Sequence, residues 1–234
     1  MQFRQLREQL IQETKQKIKQ SVGEDTLIIQ ASTTLETLIT ITNTLIEKLR
    51  AWHDLHNPEF SHQTKDNTTF TEAVANKKNT RTKQTMGGNL NEKDTTAIET
   101  IAQTIQNMQK TQQELTTYVE TKLQNTCPNT FALLGTILTA KLLALAGSLK
   151  NLATAPASRI QLLGAEKALF RHIKQGTKIP KYGILATHTL VEKASAKNKG
   201  KAARTLASKI AIASKVDYFK GKFIGDKLKQ QLEK

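Results

Sequence analysis

The chain has 234 residues, of which 38% are hydrophobic and 24% charged, and its formal net charge is +15. This composition argues against a wholly disordered polyelectrolyte and indicates one or two folded domains. The single cysteine, Cys127, excludes an intramolecular disulfide, and its spacing from the five histidines fits no structural zinc site.

Neither a secretory signal nor a membrane span is expected. The N-terminal MQFRQLREQL has no apolar core behind its basic residues. The longest apolar run, at residues 131–146, is shorter than the roughly 20 residues of a membrane helix and contains Lys141. The sequence therefore predicts a soluble intracellular protein without a membrane partner.

Charge is divided unequally along the chain. Residues 1–130 hold 15 basic and 15 acidic side chains, whereas residues 131–234 hold 20 basic and 5 acidic ones. Such asymmetry is typical of a protein that binds a polyanion, with nucleic acid the first candidate and lipid the lesser one. A basic surface that serves solubility alone is the plain alternative.

Three amphipathic helices are predicted in residues 1–126. The leading helix, residues 1–23, has its apolar positions at Phe3, Leu6, Leu10, Ile11 and Ile18. Heptad spacing then follows Ile28, Ala31, Leu35, Leu38, Thr42, Leu45, Leu49 and Trp52, and later Ile98, Ile101, Ile105, Met108, Gln112, Leu115 and Val119. Each stripe needs a partner helix, so residues 24–126 are expected to form an antiparallel coiled-coil hairpin around a connecting insert, residues 57–93. In that pairing Thr42 faces Met108, and Gln112 faces Leu38.

The sequence changes character at Cys127, where apolar residues become dense. We expect Asn129 to cap a helix over residues 130–149, and Pro156 to open another helix that runs to Lys174 and stops at Gly176. Residues 182–185 are expected to be extended or a turn. A helix in residues 200–220 would bury a stripe that comprises Ala203, Leu206, Ile210, Ala213, Val216 and Phe219 or Phe223.

These elements predict an all-α protein, in which the hairpin precedes a compact basic domain over residues 127–225 and a basic tail over residues 226–234. Neither a βαβ alternation nor a phosphate-binding glycine motif is present in the sequence. Core packing and helix-end capping account for Trp52, His53 and His56, and Cys127 is interpreted as a boundary residue. Glu166 and Glu192 stand too far apart for a general acid and base pair. We therefore expect no catalytic residue, metal or cofactor.

Four motifs in the basic part resemble the Nop domain of the Nop family, the scaffold proteins of box C/D ribonucleoproteins that guide RNA 2'-O-methylation. They are ALAGSLKNLA at 144–153, PASRIQLLGAEKALFRHIKQG at 156–176, PKYGILATHTLV at 180–191 and GKAARTLASKIAIASKVDYFKG at 200–221. The most specific of them is GAEKALFR at 164–171. Two further segments, SVGEDTLIIQA at 21–31 and LRAWHDLHNPEF at 49–60, resemble the ends of the first long helix in the family's coiled coil.

The resemblance implies a coiled coil that pairs with a second copy or with a Nop paralogue. Its dimerisation residues would be Leu35, Leu38, Leu45, Leu49, Ile101, Ile105, Met108 and Leu115. It also implies a Nop domain that binds kink-turn RNA of the box C/D guide type together with a small kink-turn-binding ribosomal-type protein. The N-terminal domain that recruits the methyltransferase fibrillarin is expected to be missing, which puts fibrillarin binding in doubt.

The resemblance further assigns residues to the RNA and protein interface. Gly164, Ala165, Glu166, Lys167 and Arg171 would lie on the helix that faces both partners, and His188 would stack on a flipped-out nucleotide. Helical spacing places Lys167, Arg171 and Lys174 on one side, with Leu163, Leu169 and Phe170 packed inward. Lys201 and Arg204 keep the family's GKxAR pattern, while Lys215 stands where many relatives have arginine. With Lys209, these side chains lie off the buried stripe of their helix.

The expected function is that of a non-enzymatic RNA-binding scaffold in rRNA processing and methylation. Two alternatives remain at this point: a relative of the spliceosomal type, and a coiled-coil adaptor with non-specific polyanion binding. The protein would be cytoplasmic in an archaeon and nucleolar in a eukaryote.

Overall fold

The computed structural model describes residues 2–78 and 85–233, and in this part of the chain every regular element is helical. The predicted all-α class is therefore confirmed. The elements are α1 (Gln2–Ser21), α2 (Glu24–His53), α3 (Pro58–Gln63), α4 (Asn67–Ala75), α5 (Glu92–Thr126), α6 (Pro128–Ala146), α7 (Leu149–Thr154), α8 (Ala157–Leu162), α9 (Glu166–Gln175), a 3₁₀ helix (Ile184–Thr187), α10 (Thr189–Glu192), α11 (Lys199–Tyr218) and α12 (Gly225–Glu233).

Internal contacts divide the chain into two compact units. The first unit comprises residues 1–33 and 118–234, and the second unit comprises residues 34–117. Both units therefore include part of α2 and part of α5. The predicted domain limits follow the character of the sequence rather than contacts, and they remain predictions.

In the second unit, α2 and α5 pack against each other in opposite directions. The Thr42 hydroxyl lies 3.9 Å from the sulfur of Met108, and the Gln112 amide donates to the Leu38 carbonyl (3.3 Å) and to the Thr42 hydroxyl (2.7 Å). The predicted pairing of these four residues is confirmed. Because a buried polar pair is satisfied in only one alignment, this layer fixes the register of the two helices. Supercoiling of the pair remains a prediction.

One end of the second unit is closed by aromatic rings, and here the heptad prediction was wrong. Trp52 is 41% exposed, whereas the neighbouring His53 is 1% exposed and its ring centroid lies 5.3 Å from that of Phe70 and 5.7 Å from that of Phe60. A straight helix has 3.6 residues per turn, so its buried stripe drifts away from a strict heptad and reaches position 53 after Leu49. The Arg50 guanidinium lies 4.2 Å above the Phe70 ring.

The stability of the second unit is expected to fall as the pH falls from about 6.5 to 4. Burial, and next the nearby His56 charge, lower the pKa of His53 from 6.5 to about 4, against an opposing effect of Asp54. Between these pH values the unfolded chain binds a proton that the folded unit excludes, at an expected loss of about 2–3 kcal/mol at pH 4.5. Denaturant unfolding followed by Trp52 fluorescence at pH 7 and pH 4.5 measures this loss.

The matched variants are His53→Leu, which removes the buried imidazole, and His56→Gln, which keeps it. We expect the first to flatten the pH dependence and the second to preserve most of it. Equal pH dependence in His53→Leu and in the unsubstituted protein would contradict the assignment to His53.

The core of the first unit surrounds α11, which packs against α6, α7, α8, α10 and α12. Its buried stripe contains Ala203, Leu206, Ile210 and Ala213, as predicted. The predicted continuation of that stripe holds in part at Val216, which is half-buried, and was wrong for Phe219 or Phe223. The helix ends at Tyr218, Phe219 and Phe223 are exposed, and the buried residue in the last turn is Asp217.

Helix limits in the first unit also differ from prediction. The helix α6 begins at Pro128 rather than after Asn129, whose buried amide instead donates to Asp217, and it ends at Gly147 in the left-handed conformation. The helix expected from Pro156 to Lys174 is broken at Gly164, whose φ is +84°, into α8 and α9. The stop at Gly176 is confirmed, since Gly176 is the left-handed residue that follows α9.

By length and composition, α6 is the one helix of the described residues that could cross a membrane. It is longer than the apolar run on which the sequence prediction rested, because it begins at Pro128. In the structure, Leu142 and Leu143 of α6 are fully buried in the core of the first unit, and Gly135 interrupts the helical backbone with a φ of 71°. Core helices of folded domains share this length and composition.

Candidate functional site

The basic helix α9 is positioned by a loop that is tied to a second segment of the first unit. The Ile184 amide donates to the Leu163 carbonyl (2.7 Å), and the Gly183 amide donates to the Gln161 carbonyl (2.8 Å). At the loop itself, the Glu166 carboxylate accepts from the Gly164 amide (2.8 Å). Glu166 is therefore engaged in fixing the start of its own helix.

Gly164 is required by both its conformation and its surroundings. Its φ is +84°, and a Cβ atom there would lie 3.3 Å from the Cβ of Ile184. The absence of a side chain thus serves packing within the unit. Ala165, the next residue, is half-buried and precedes the first turn of α9.

Replacing Gly164 with alanine is expected to lower the free energy of unfolding by about 1–2 kcal/mol and to loosen the start of α9. Gly176→Ala is the matched control, because Gly176 is also left-handed (φ +63°), whereas a Cβ atom there would meet no neighbouring atom within 4 Å. Hydrogen exchange of residues 161–176 should rise more in Gly164→Ala than in Gly176→Ala. Equal effects would contradict the role given to the contact with Ile184.

The cations of α9 form one exposed row. Lys167, Arg171 and Lys174 follow one another at spacings of four and three residues, so the structure places them on the same side of the helix. All three side chains are exposed, and none has a salt bridge among the described residues. The Lys174 ammonium lies 4.7 Å above the Phe170 ring. Such a row can neutralise successive phosphates.

The other side of α9 is apolar and also exposed. The expected inward packing holds for Leu163, is partial for Leu169, and is wrong for Phe170, which is 58% exposed. Ile173 is 72% exposed. The physical reason is that α9 stands off from the core, since none of its residues is buried. An exposed apolar side next to a basic side can serve two different partners.

A second basic row lies on α11, opposite its buried stripe. Lys201, Arg204 and Lys215 are exposed and share this face at helical spacing. Lys209 lies on the side of α11 that faces α12, where its ammonium donates to the side chain of Gln231 (2.6 Å). The structure thus groups three of the four predicted α11 cations and separates the fourth.

The starts of α9 and α11 are attached to the same segment. Gln161 donates its side-chain amide to the Lys181 carbonyl (2.5 Å). A Cβ atom on Gly200, at the start of α11, would lie 3.8 Å from the Cβ of Lys181. Residues 181–184 are therefore bonded to the loop before α9, and Lys181 lies beside the first turn of α11.

His188 is held by both ring nitrogens. Nδ1 accepts from the Leu190 amide (3.2 Å), so the proton resides on Nε2, which donates to the Leu133 carbonyl (3.2 Å). These bonds engage the edges of the ring and fix its plane, while stacking would use a ring face. The ring is half-buried, and its stacking on a nucleotide remains a prediction.

Sequence reasoning missed Asp217, whose buried carboxylate accepts four hydrogen bonds. Its two oxygens accept from the backbone amides of Asn129 and Thr130 (both 2.9 Å), the Asn129 side chain (2.8 Å) and the Thr130 hydroxyl (2.7 Å). These amides belong to the first turn of α6, so Asp217 caps that helix from α11. The available signal was one acidic residue on the apolar stripe of α11.

Cys127 precedes α6 and is fully buried. Burial, and secondarily the nearby carboxylates of Asp217 and Asp25, raise the pKa of this thiol. A thiol in this environment is a poor nucleophile. Among the described residues, no group of three histidine, cysteine, aspartate or glutamate side chains is placed to hold a metal ion.

Charge separates the units more sharply than sequence halves do. Residues 34–117 contain 10 acidic and 9 basic side chains, so the second unit has a net charge of −1 and the remaining residues have +16. The excess of positive charge that could attract a polyanion therefore lies in the residues of the first unit.

Comparison with known proteins adds a family and a fold. The family profile described as "Nop: snoRNA binding domain, fibrillarin" matches residues 34–234. An uncharacterized NOP5 family protein of Methanocaldococcus jannaschii is 35% identical over 94% of this chain and 59% of its own length. Nucleolar protein 56 of Bos taurus is 34% identical over 93% of this chain and 41% of its own length.

Nucleolar protein 58 of Sclerotinia sclerotiorum is 36% identical over 82% of this chain and 38% of its own length. A chain in the crystal structure of a fibrillarin/Nop5p complex superposes with a TM-score of 0.60 at 25% identity, over 99% of this chain and 78% of that chain. The present chain thus spans between about two fifths and three fifths of the length of these curated relatives.

Proposed function

Because the chain belongs to the Nop family, we propose that it is a non-enzymatic scaffold of a box C/D-type ribonucleoprotein. In this role it recognises kink-turn RNA together with the small kink-turn-binding protein seated on that RNA. It supports guided 2'-O-methylation by holding the RNA, and the chemistry belongs to another subunit. The observation that carries the proposal is the pair of exposed, unpaired basic rows on α9 and α11.

The basic rows supply contacts to the RNA backbone. Lys167, Arg171 and Lys174 on α9 and Lys201, Arg204 and Lys215 on α11 are exposed and therefore free to release counterions from phosphates. The arginines can also form two parallel hydrogen bonds with a phosphate or a guanine edge, which lysine cannot. Lys209 contributes less, because it is engaged with Gln231.

The apolar side of α9 supplies contacts to the small protein. Phe170 and Ile173 are largely exposed in the isolated chain. Burying their apolar surface against a partner would therefore stabilise the complex. Their position on the helix that carries the basic row supports a composite target. Neither RNA alone nor the small protein alone would satisfy both sides of α9.

Self-association through α2 and α5 is part of the proposal. Leu49 and Ile105 are already buried inside the second unit, whereas the other predicted dimerisation residues retain exposed surface: Leu35, Leu38, Leu45, Ile101, Met108 and Leu115. Ile39 and Ile41 on α2 are more exposed still, at 42% and 45%. A homodimer, or a heterodimer with a Nop paralogue, would cover this surface. The proposal assigns no fibrillarin-binding surface to the described residues.

A gel-shift titration tests the proposal. The protein is added to a box C/D kink-turn RNA and to a straight duplex of equal length, each with and without the small kink-turn-binding protein, at two salt concentrations. We expect tight binding only to the preformed complex of kink-turn RNA and small protein. The variant Ile173→Lys, which places a charge on the apolar side of α9, should still be attracted to RNA. Its affinity should no longer increase when the small protein is added.

Equal, salt-labile binding to every RNA would instead favour the non-specific adaptor. In cells the proposed role places the protein in the nucleolus of a eukaryote or in the cytoplasm of an archaeon. Deletion of its gene should cause loss of the complex and of 2'-O-methyl groups from rRNA.

A further inference from the structure

The turn between α11 and α12 carries exposed rings that the proposed interface does not use. Phe219 is 75% exposed and Phe223 is 53% exposed, while Tyr218 lies beside them at 36%. Lys220 and Lys222 lie between Phe219 and Phe223 in the sequence and are exposed as well. We define these five residues as the ring–lysine patch.

The rings of the patch are fixed rather than loose. The Tyr218 and Phe219 rings meet edge to face with centroids 5.1 Å apart. The Phe223 ring lies against the buried Gly225, where a Cβ atom would come within 2.9 Å of two ring carbons, and 53% of Phe223 remains exposed. Prepositioned faces lower the entropic cost of stacking.

Lys220 occupies a backbone position that favours glycine. The amide of Gly221 donates to the Val216 carbonyl (2.8 Å) and that of Lys220 to the Asp217 carbonyl (3.3 Å), which is the Schellman ending of a helix. In this motif Lys220 is left-handed, with a φ of +53°. Lysine at this position makes the fold less stable than glycine would. Its side chain is therefore expected to have a role other than forming the turn.

Lys77 differs from Lys220 in having an ion-pair partner within the fold. Lys77 is the other non-glycine residue with a positive φ among those described, and its ammonium forms an ion pair with Glu99 at 2.9 Å. Lys220 has no ion pair within the described residues. A strained lysine that serves nothing inside the fold is available to an anionic ligand.

A cavity of about 990 Å³ adjoins the patch, with Tyr218 and Lys220 in its wall. Its three carboxylates are already engaged: Glu24 with Lys122, Asp25 with the Leu149 amide, and Asp217 with the first turn of α6. Asp25 and Asp217 are bonded to neutral donors only, and Lys220 is a cation in the wall without an ion pair among the described residues. Ligand sites have volumes of about 300–1,000 Å³, so the cavity has room for a flipped base.

We propose that the ring–lysine patch binds an unpaired stretch of RNA, with bases stacked on Phe219 and Phe223 and phosphates held by Lys220 and Lys222. Exposed rings beside exposed cations suit single-stranded nucleic acid, since every base has a flat face and every nucleotide a charge. This inference rests on the proposed function in one respect, because the unpaired stretch would extend the RNA held by α9 and α11. It adds recognition of unpaired sequence to recognition of a kinked duplex.

The experiment compares three probes: a blunt kink-turn RNA with the small protein, the same complex with a 12-nucleotide unpaired extension, and a free 12-nucleotide RNA. We expect the extension to tighten binding about tenfold, and Phe219→Leu with Phe223→Leu to abolish this gain without changing affinity for the blunt RNA. Phe3→Leu, on another exposed phenylalanine, is the matched control and should change nothing.

Lys220→Gly gives a second, independent readout. It should raise the thermal midpoint of the protein by relieving the left-handed strain, and at the same time reduce the salt slope of binding to the extended RNA by about one. A lysine with a purely structural role would not produce this opposite pair of effects.

An extension that gives no gain, or a gain that survives in the phenylalanine double variant, would overturn the inference and leave the proposed function intact. If the blunt complex is not bound at all, the proposed function fails, and the free 12-nucleotide RNA still tests the patch by the same variants. Phenylalanine-dependent binding to vesicles with anionic lipid, without binding to that RNA, would assign the patch to a membrane instead and overturn the inference.

Discussion

Replacing Asp217 with alanine is expected to lower the free energy of unfolding of the first unit by about 3–5 kcal/mol. The substitution leaves four hydrogen-bond donors of Asn129 and Thr130 buried without an acceptor, two of them amides in the first turn of α6. Each lost partner exposes the full desolvation cost of a buried donor, and the helix also loses the negative charge at its N-terminal end.

Hydrogen-exchange mass spectrometry of peptides from α6 and α11 measures this effect. Trp52, the one tryptophan in the chain, belongs to the second unit, so its fluorescence reports whether the loss is confined to the first unit. Asp217→Asn, which keeps the shape and two acceptor sites, should lose about half as much. Asp226→Ala removes an exposed carboxylate from α12 and should cost less than about 1 kcal/mol. Similar losses in Asp217→Ala and Asp226→Ala would contradict the capping role.

Arg171→Ala and Arg204→Ala are each expected to weaken binding to the kink-turn complex about tenfold and to reduce the salt slope by about one. Combined, they should weaken binding about a hundredfold, since they lie on different helices and their effects should add. Titrations at four salt concentrations measure both quantities.

The control for these arginines is Arg7→Ala, on α1, which removes the same charge from an exposed position away from both basic rows. Lys209→Ala should fall between control and test variants, because Lys209 is held by Gln231. If all four substitutions reduced the salt slope equally, binding would depend on net charge alone, and the assignment to α9 and α11 would be withdrawn.

The periodic spacing of apolar residues predicted which side chains are buried along the regular helices. Heptad spacing and an antiparallel pairing of the two helices predicted that Thr42 faces Met108 and that Gln112 faces Leu38. The stripe of α11 from Ala203 to Ala213 was predicted for the same reason. Such predictions need only the geometry of a helix.

Predictions failed where a helix ends or where tertiary contacts choose between neighbours. Phe170 and Phe219 were expected inside from helical spacing, yet α9 stands off the core and α11 ends before Phe219. Gly164 was placed inside one continuous helix, so the break that its left-handed backbone makes between α8 and α9 was missed. His53 replaced Trp52 in the core because the stripe drifts, which a heptad template cannot show.

The candidate site was predicted in its residue types and only partly in its arrangement. The two basic rows followed from spacing, whereas the engagement of Glu166 with Gly164, of His188 with Leu133 and of Lys209 with Gln231 did not. The first contact depends on the left-handed backbone at Gly164, and the other two join residues from different segments, which a single sequence does not reveal.

The division of the first unit between two stretches of chain has a consequence for synthesis. Ile28 is buried in the same core cluster as Val119 and Leu123, so its burial must wait until the ribosome has made more than 80 further residues. The second unit lies between these stretches and is continuous, which allows it to fold first. Once α2 and α5 have paired, the ends at residues 33 and 118 are held as a closed loop, and the entropy of bringing them together is already spent. Synthesis should therefore proceed through an intermediate in which the hairpin is formed and Ile28 is still in water.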